Sequence, residues 1–337
     1  MANLVGNYIL SGTLPKQLRK DIDNMFNSTL ETAPDDVGSI FKTKEVVSSN
    51  RYTRAEIAGF GMPAEISEGG VAPIDVPEEG FEKSYFFHEY GMGFVVSEWM
   101  LEDEQFGRIK QMPKAMAKSI MVFKNFDCMD MLNNGELSTE KYLAKDSLPL
   151  FGTHNLMDVR FGDVTTLTNE TGVDTPLSET SMEAGFQYFD DMVDENGYPY
   201  EMNLSKLIVA SGNRRVAHVL KTQQYGGSVA QVNGSGALGY WGSTDPTTGS
   251  TPGVNLNIVN PSNGGVNGYD IMVSRYLDEG RWFMQAPEHE LQLMWKRAPK
   301  QESWFDKKTH NTIYQTRMRY SVFAEDYRGI FGNPYSS

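Results

Sequence analysis

The stretch Lys83–Ser119, KSYFFHEYGMGFVVSEWMLEDEQFGRIKQMPKAMAKS, changes hydrophobic period partway along. Its first third supplies the β-favouring residues Tyr85, Phe87, Phe94, Val95 and Val96, which predict strand structure over 81–96. Ser97 then suits a helix cap, and Glu98, Glu102, Asp103 and Glu104 favour the positive end of the helix that follows. Gly107 is placed to divide a short first helix from a long one. From Arg108 to Asn133 the residues Ile109, Met112, Met116, Ile120, Phe123, Phe126 or Asp127, and Met131 recur every three or four positions. Pro113 falls near the first turn, where proline is tolerated, and Asn133-Asn134-Gly135 ends the pattern. About 26 residues at ~1.5 Å each make a helix of roughly 39 Å, long for a globular domain. Its methionines and phenylalanines read as core contacts.

Upstream lies GFGMPAEISEGGVAPIDVPEEG, Gly59–Gly80, between strands expected at Val46–Glu56 and Phe81–Val96. It carries Pro63, Pro73 and Pro77, is rich in glycine, and has no strong period. Structureless loops beyond about 12–15 residues are uncommon unless they serve a function. Two strands with so long a tip describe a projecting β-arm; a surface insertion is the plainer reading. Further upstream, residues 1–40 resemble an arm. Leu18, Ile22 and Met25/Phe26 recur at helical spacing after Pro15, before Thr32–Gly38 breaks the pattern. This helix either docks on another molecule or packs on its own domain.

Downstream, 135–176 connects to a helix that starts at Ser178 or Thr180, with Glu183 three positions after Thr180, and stops at Asn196-Gly197. Leu204–Ala210 is an apolar run typical of a buried strand, and Asn213–Thr222 is a third helix. Gln223–Gly268 is rich in Gly, Ser, Thr and Asn, with an alternating strand at Val254–Val259. Ile271–Ala286 reads as a strand pair about the turn Asp278-Glu279-Gly280-Arg281, and Thr312–Phe331 as one long returning strand. The whole is an α+β chain.

The 337 residues, 39% hydrophobic, suffice for one sizeable core or two modest, interleaved ones. No apolar run approaches the ~20 residues of a membrane span, and the N-terminus lacks a signal-peptide pattern, so folding in a cytoplasm is expected. A single cysteine, Cys128, excludes an intrachain disulfide and multi-cysteine zinc sites, and reads as a buried hydrophobe. The net charge of −14 argues against a protein that grips phosphates, though a wall enclosing DNA can be acidic.

Enzyme chemistry finds no foothold. The five histidines are scattered, and His289-Glu290 is not followed by the second histidine of a zinc-protease helix. There is no nucleophile elbow and no phosphate loop. Gly234-Ser235-Gly236 and Gly264-Gly265 do not make a dinucleotide fingerprint. Asp190, Asp191, Asp194 and Glu195 form an acidic helix end better read as a solvated face than a cation site. No catalytic, metal or cofactor-binding residue is therefore assigned.

The order of parts resembles the tailed-bacteriophage major capsid family with the Hong Kong 97 type fold. Lys83–Ser119, LPLFGTHNL at Leu148–Leu156, LSETSMEAGF at Leu177–Phe186 and YRGIFGNP at Tyr327–Pro334 are similar to its Mu-type major head subunits. The likeness runs from about residue 40 to 331. It implies an N-terminal arm at 1–40 and an extended β-arm, the E-loop, at 41–80. It implies a P-domain with a spine helix at 81–160 and 285–322, and an A-domain at 161–284 and 323–337. It further implies an icosahedral shell of pentamers and hexamers around double-stranded DNA, in the virion and assembled in the host cytoplasm. Portal and scaffolding proteins, and a decoration or cement protein, would be its partners besides itself. No cofactor and no membrane are implied. Fewer than 45 residues precede the β-arm, so a scaffold is expected as a separate protein, and no lysine lies between Lys44 and Lys83 to form a covalent cross-link. The candidate intersubunit contacts are Phe60, Met62, Ile66 and Ile74 on the β-arm, and Leu18 and Ile22 on the N-terminal helix. An encapsulin-like nanocompartment shell is the alternative; a hydrolase with a dispersed site is a third possibility.

Overall fold

The computed structural model describes residues 14–45, 50–57, 59–60, 63–74, 76, 79–103, 106–157, 164–172, 175–194, 198–222 and 268–334. Two compact units are built from interleaved segments. The strand expected at Val254–Val259 lies outside the described residues.

The first unit takes Met1–Arg54, Glu82–Met131 and Leu291–Phe323. Its elements are helix α1 (Leu14–Thr32), strands β1 (Lys42–Glu45), β2 (Arg51–Ile57, which runs past the unit), β3 (Glu79–Phe86, which begins before it) and β4 (His88–Ser97), and helices α2 (Glu98–Glu102) and α3 (Phe106–Asn133). The first four-stranded sheet runs β1, β10 (Leu291–Asp306), β11 (Asn311–Ala324), β4. β1 is parallel to β10, with Lys42 opposite Gln292, and β11 is antiparallel to β4, with Asn311 opposite Ser97 and Tyr320 opposite His88. β2 and β3 form a sheet of their own.

The expected strand at 81–96 is thus two strands in two sheets, divided at Phe87, whose side chain is buried. Ser97 caps as expected: its Oγ accepts from the Met100 amide at 3.3 Å. The break between the short and long helices falls before Phe106, so Gly107 lies inside α3. Pro113 stands two turns into α3, where it forgoes one i→i−4 hydrogen bond; the 28-residue helix continues through it, about 42 Å long. Ile22 of α1 packs with Val96, Ile109 and Tyr314, and Lys124 pairs with Asp35 at 2.9 Å. β10 was not foreseen: Pro299 and its charges disguise it. β1 pairs with β10 only as far as Trp295, so Pro299 leaves no β1 partner without a donor.

The second unit takes Ala55–Phe81, Leu132–Glu290 and Ala324–Ser337. It holds the antiparallel pair β5 (Thr153–Met157) and β6 (Val164–Thr168), and helices α4 (Glu179–Asp190) and α5 (Arg214–Thr222). A second four-stranded sheet runs β12 (Ile330–Asn333), β9 (Trp282–Gln285), β7 (Lys206–Ala210), β8 (Asp270–Ser274). The apolar run Leu207–Ala210 is buried on both faces, which puts β7 in the interior of the sheet. It therefore separates β8 from β9, parallel to the first and antiparallel to the second; the expected strand pair is not a hairpin. The long returning strand is likewise two, β11 and β12, in different sheets.

Ser178, not Thr180, caps α4. Its Oγ accepts from the Ser181 amide, and Ser181 Oγ accepts from the Ser178 amide, so serine fills the place expected of an acid. α4 ends at Asp190, short of Asn196. Gly185 lets α4 close on the sheet, since a methyl there would overlap Met284 Sδ and crowd Phe331. Met182, Phe189, Leu207, Trp282, Met284 and Phe331 lead this core.

A buried polar network steadies the connecting region. His154 Nδ1 lies 2.7 Å from Asp146 and Nε2 lies 3.3 Å from the Leu150 carbonyl, and the ring stacks on Tyr327. Asp326 accepts from Arg328 at 2.6 and 2.9 Å and from Lys145 at 2.9 Å. Burial alone would raise Asp326, but Arg328 and Lys145 overcome it and hold the carboxyl well below the usual range.

Candidate assembly surfaces

β2 and β3 carry the segment 58–78 between them. Thr53 and Ser84 hydroxyls meet across the pair at 2.8 Å, and at its root Tyr52, Tyr85 and Phe323 stack. Beyond that root the described residues from Gly59 to Val76 are all exposed. Phe60 is 65% exposed, Ile66 47%, Val71 91%, Ile74 91% and Val76 75%. One local turn orders the tip: the Gly70 amide donates to the Ser67 carbonyl at 2.8 Å, with Gly69 at φ +80°, a conformation few other residues adopt. Five large apolar groups thus stand in water on one segment, which makes it the candidate surface among the described residues of this unit.

The sequence candidates therefore divide. Phe60, Ile66 and Ile74 share this exposed extension. Met62 lies outside the described residues, as does the side chain of Leu18, although its backbone is in α1. Ile22 is corrected: it is 0% exposed in its own unit's core and has no side-chain surface left for a neighbour. Of the two readings of the N-terminal helix, packing on its own unit holds for Ile22 and Phe26.

A second surface went unread. Phe123 and Phe126 of α3 are not core contacts: they stand 39% and 58% exposed beside Val122 at 52%. The core face of α3 is carried by Ile109, Met116, Ile120 and Met131 instead. The signal available in sequence was a second stripe at helical spacing, 108, 111, 115, 118, 122 and 126. Phe123 also lines a depression of about 260 Å³ with Tyr90, Met92, Ile120, Thr316 and Met318.

In the second unit, a depression of about 600 Å³ between β6 and α4 presents hydroxyls from Thr171, Thr175, Ser178 and Thr180, with no histidine or cysteine in its lining. Asp194 is engaged by the Tyr198 amide at 2.8 Å, and no group of His, Cys, Asp or Glu among the described residues is arranged to hold a metal ion. Among the described residues no helix is long and apolar enough to cross a membrane.

No family model and no curated protein matches the sequence. Solved structures do match the fold. A structure of Mycobacterium phage Patience aligns over 100% of this chain and 91% of its own, with TM-score 0.55 and 12% identity. The capsid of a native GTA particle aligns over 90% of each chain, with TM-score 0.50 and 11% identity. The virus-like particle from Pyrococcus furiosus aligns over 93% of this chain and 98% of its own, with TM-score 0.50 and 9% identity. The chain has a mixed α+β fold shared with capsid structures.

Proposed function

We propose that this chain is the major structural subunit of a tailed-phage head, a self-assembling shell protein and not an enzyme. The observation that carries the reading is the extension from Gly59 to Val76, which exposes Phe60, Val71, Ile74 and Val76 on a chain whose fold is shared with capsids. A shell needs heterologous contacts that close into rings of five and six. Each contact can be weak, since a subunit engages several neighbours at once. The division into N-terminal arm (1–40), β-arm (41–80), P-domain (81–160, 285–322) and A-domain (161–284, 323–337) belongs to this proposal. So do the Mu-type kinship, the double-stranded DNA inside, the portal, scaffolding and decoration partners, and assembly in the host cytoplasm.

The match to the Pyrococcus furiosus particle favours a second reading, an encapsulin-like compartment, in which only the cargo differs. The test is negative-stain microscopy and sedimentation of the purified chain. Closed particles or hexamer-sized rings are expected. A stable monomer at micromolar concentration in both low and high salt contradicts the proposal; particles holding an enzyme in place of DNA select the second reading.

A further inference from the structure

We propose that the face of the first sheet turned away from α3 is a contact surface for the phosphate backbone of double-stranded DNA. The inference rests on the shell reading and names the surface that meets the enclosed DNA. From Leu291 to Ala324, the span of β10 and β11, the chain carries seven lysines and arginines against two carboxylates, within a molecule of net charge −14. One of those carboxylates, Asp306, is occupied in its own turn, accepting from the Lys308 amide at 3.0 Å and the Thr309 hydroxyl at 2.8 Å. These two strands locally reverse the sign of the whole chain.

Alternation sorts the side chains of β11. Tyr314, Thr316, Met318 and Tyr320 are buried, and the Thr316 hydroxyl approaches Met116 Sδ of α3 at 3.9 Å. Gln315, Arg317 and Arg319 therefore stand on the other face. Arg319 lies opposite Glu89 of β4, Arg317 opposite Gly91 and Gln315 opposite Gly93. Arg297 of β10 reaches Glu89 at 3.6 Å, which brings it to the same face. Three guanidinium groups thus converge beside one carboxylate. Arg297 and Arg317 are exposed, and Arg317 donates only to the neighbouring Gln315 at 3.4 Å. Arg319 is held by Asn50 at 2.5 Å and the Phe87 carbonyl at 3.5 Å. Lys300, Lys307 and Lys308 extend the charge along β10 into the turn that follows, exposed and without an ion pair among the described residues.

This chemistry selects the occupant. Between Glu89 and Gly93 and their partners on β11, the face offers guanidinium, amide and glycine but no large apolar group. A protein partner needs an apolar core to its interface, whereas a phosphate backbone needs only cations and donors within reach. Gly91 and Gly93 raise no side chain on this face, so a rigid polyanion can come close to Arg317. From Arg297 to the end of β10 is about 30 Å at ~3.3 Å per residue, close to one turn of duplex at ~34 Å. Contacts to phosphates carry no sequence information, which suits a wall around any enclosed genome.

Binding of a short duplex DNA to the full chain, followed by fluorescence anisotropy below the concentration at which particles form, tests this. In ~50 mM salt the parent is expected to bind, with log K falling against log salt at a slope of about −3, the value for three phosphates. Arg297→Gln with Arg317→Gln removes two exposed cations; it is expected to weaken binding about tenfold or more and bring the slope to about −1. Lys114→Gln with Lys118→Gln removes two exposed cations of α3 and is expected to leave affinity and slope unchanged. All four positions are exposed, and thermal unfolding of each variant is expected to match the parent. A parent that does not bind in low salt overturns the proposal, as does an α3 variant that loses as much as the arginine variant. An arginine variant that binds DNA like the parent but assembles poorly also overturns it, and assigns the face to a contact between copies. In these outcomes a parent that forms particles keeps the shell reading intact; a parent that never assembles removes that reading and leaves this face no enclosed DNA to meet.

Discussion

Tyr85 lies flat against Phe323, with ring centroids 3.8 Å apart and planes 13° from parallel. Tyr85 closes β3 at the root of the extension, and Phe323 closes β11 in the main sheet of the first unit. The root is thus anchored in a core while the tip is bare, which is the division of labour expected of an arm. Phe323→Ala empties this stack and is expected to destabilise the subunit by about 3–5 kcal/mol. Denaturant unfolding of the isolated chain measures it. A change under about 1 kcal/mol would mean that the root is not anchored there.

Asp326 sets a pH dependence of known sign. Its carboxyl is held below the usual range by Arg328 and Lys145 against burial, so its contribution is present above the unfolded value, ~3.9. It is lost as pH falls through the lower, folded value. Asp326→Asn leaves two cations facing a neutral group and is expected to cost about 3–5 kcal/mol near neutral pH. Unfolding curves at neutral pH and below ~4 check both points: the gap between parent and variant narrows on acidification. A constant gap contradicts the assignment.

Particle chemistry is expected to be noncovalent. The span between Lys44 and Lys83 contains no lysine, so the extension has no amine to form an isopeptide. Boiled, denatured particles should run as single chains on a gel. A ladder of multimers would contradict this and direct attention to Lys44 and Lys83.

Gly185 sits where α4 approaches Met284 and Phe331 most closely. Gly185→Ala is expected to cost about 1–3 kcal/mol by overpacking, despite the better helix propensity of alanine. A stabilised variant in thermal unfolding would show that Met284 yields easily.

Local signals carried far into this fold. The period change across Lys83–Ser119, the serine caps at 97 and 178, and the apolar run at 207–210 each state their element within a few residues. What sequence could not state was partnership. Trp282–Gln285 and Asp270–Ser274 look like a hairpin because a turn joins them, yet β7 competes better for the place between them by being buried on both faces. β10 hides behind Pro299, which lies past Trp295, the last residue that β1 pairs with. Phe126 belongs by composition to the core face of α3, and only the three-dimensional packing shows it facing water. The exposed extension was legible as a gap in periodicity, since Gly59–Gly80 lacks the residues to bury itself.

On the proposed reading the extension works between copies, so removing residues 61–78 and closing with a short glycine turn should leave the subunit folded. A shorter loop changes closure entropy by only about 0.6 kcal/mol per halving. Thermal unfolding of the monomeric fraction beside particle yield reads this out. Unchanged unfolding with lost or fragile particles is expected; a deletion that unfolds the subunit shows the segment to be part of its own core.

The most direct measurement is electron cryomicroscopy of whatever the purified chain assembles. The account predicts rings of five or six copies closing into a shell, with density for residues 59–76 lying on an adjacent copy. A monomer, or a shell in which that segment folds back on its own subunit, would contradict it.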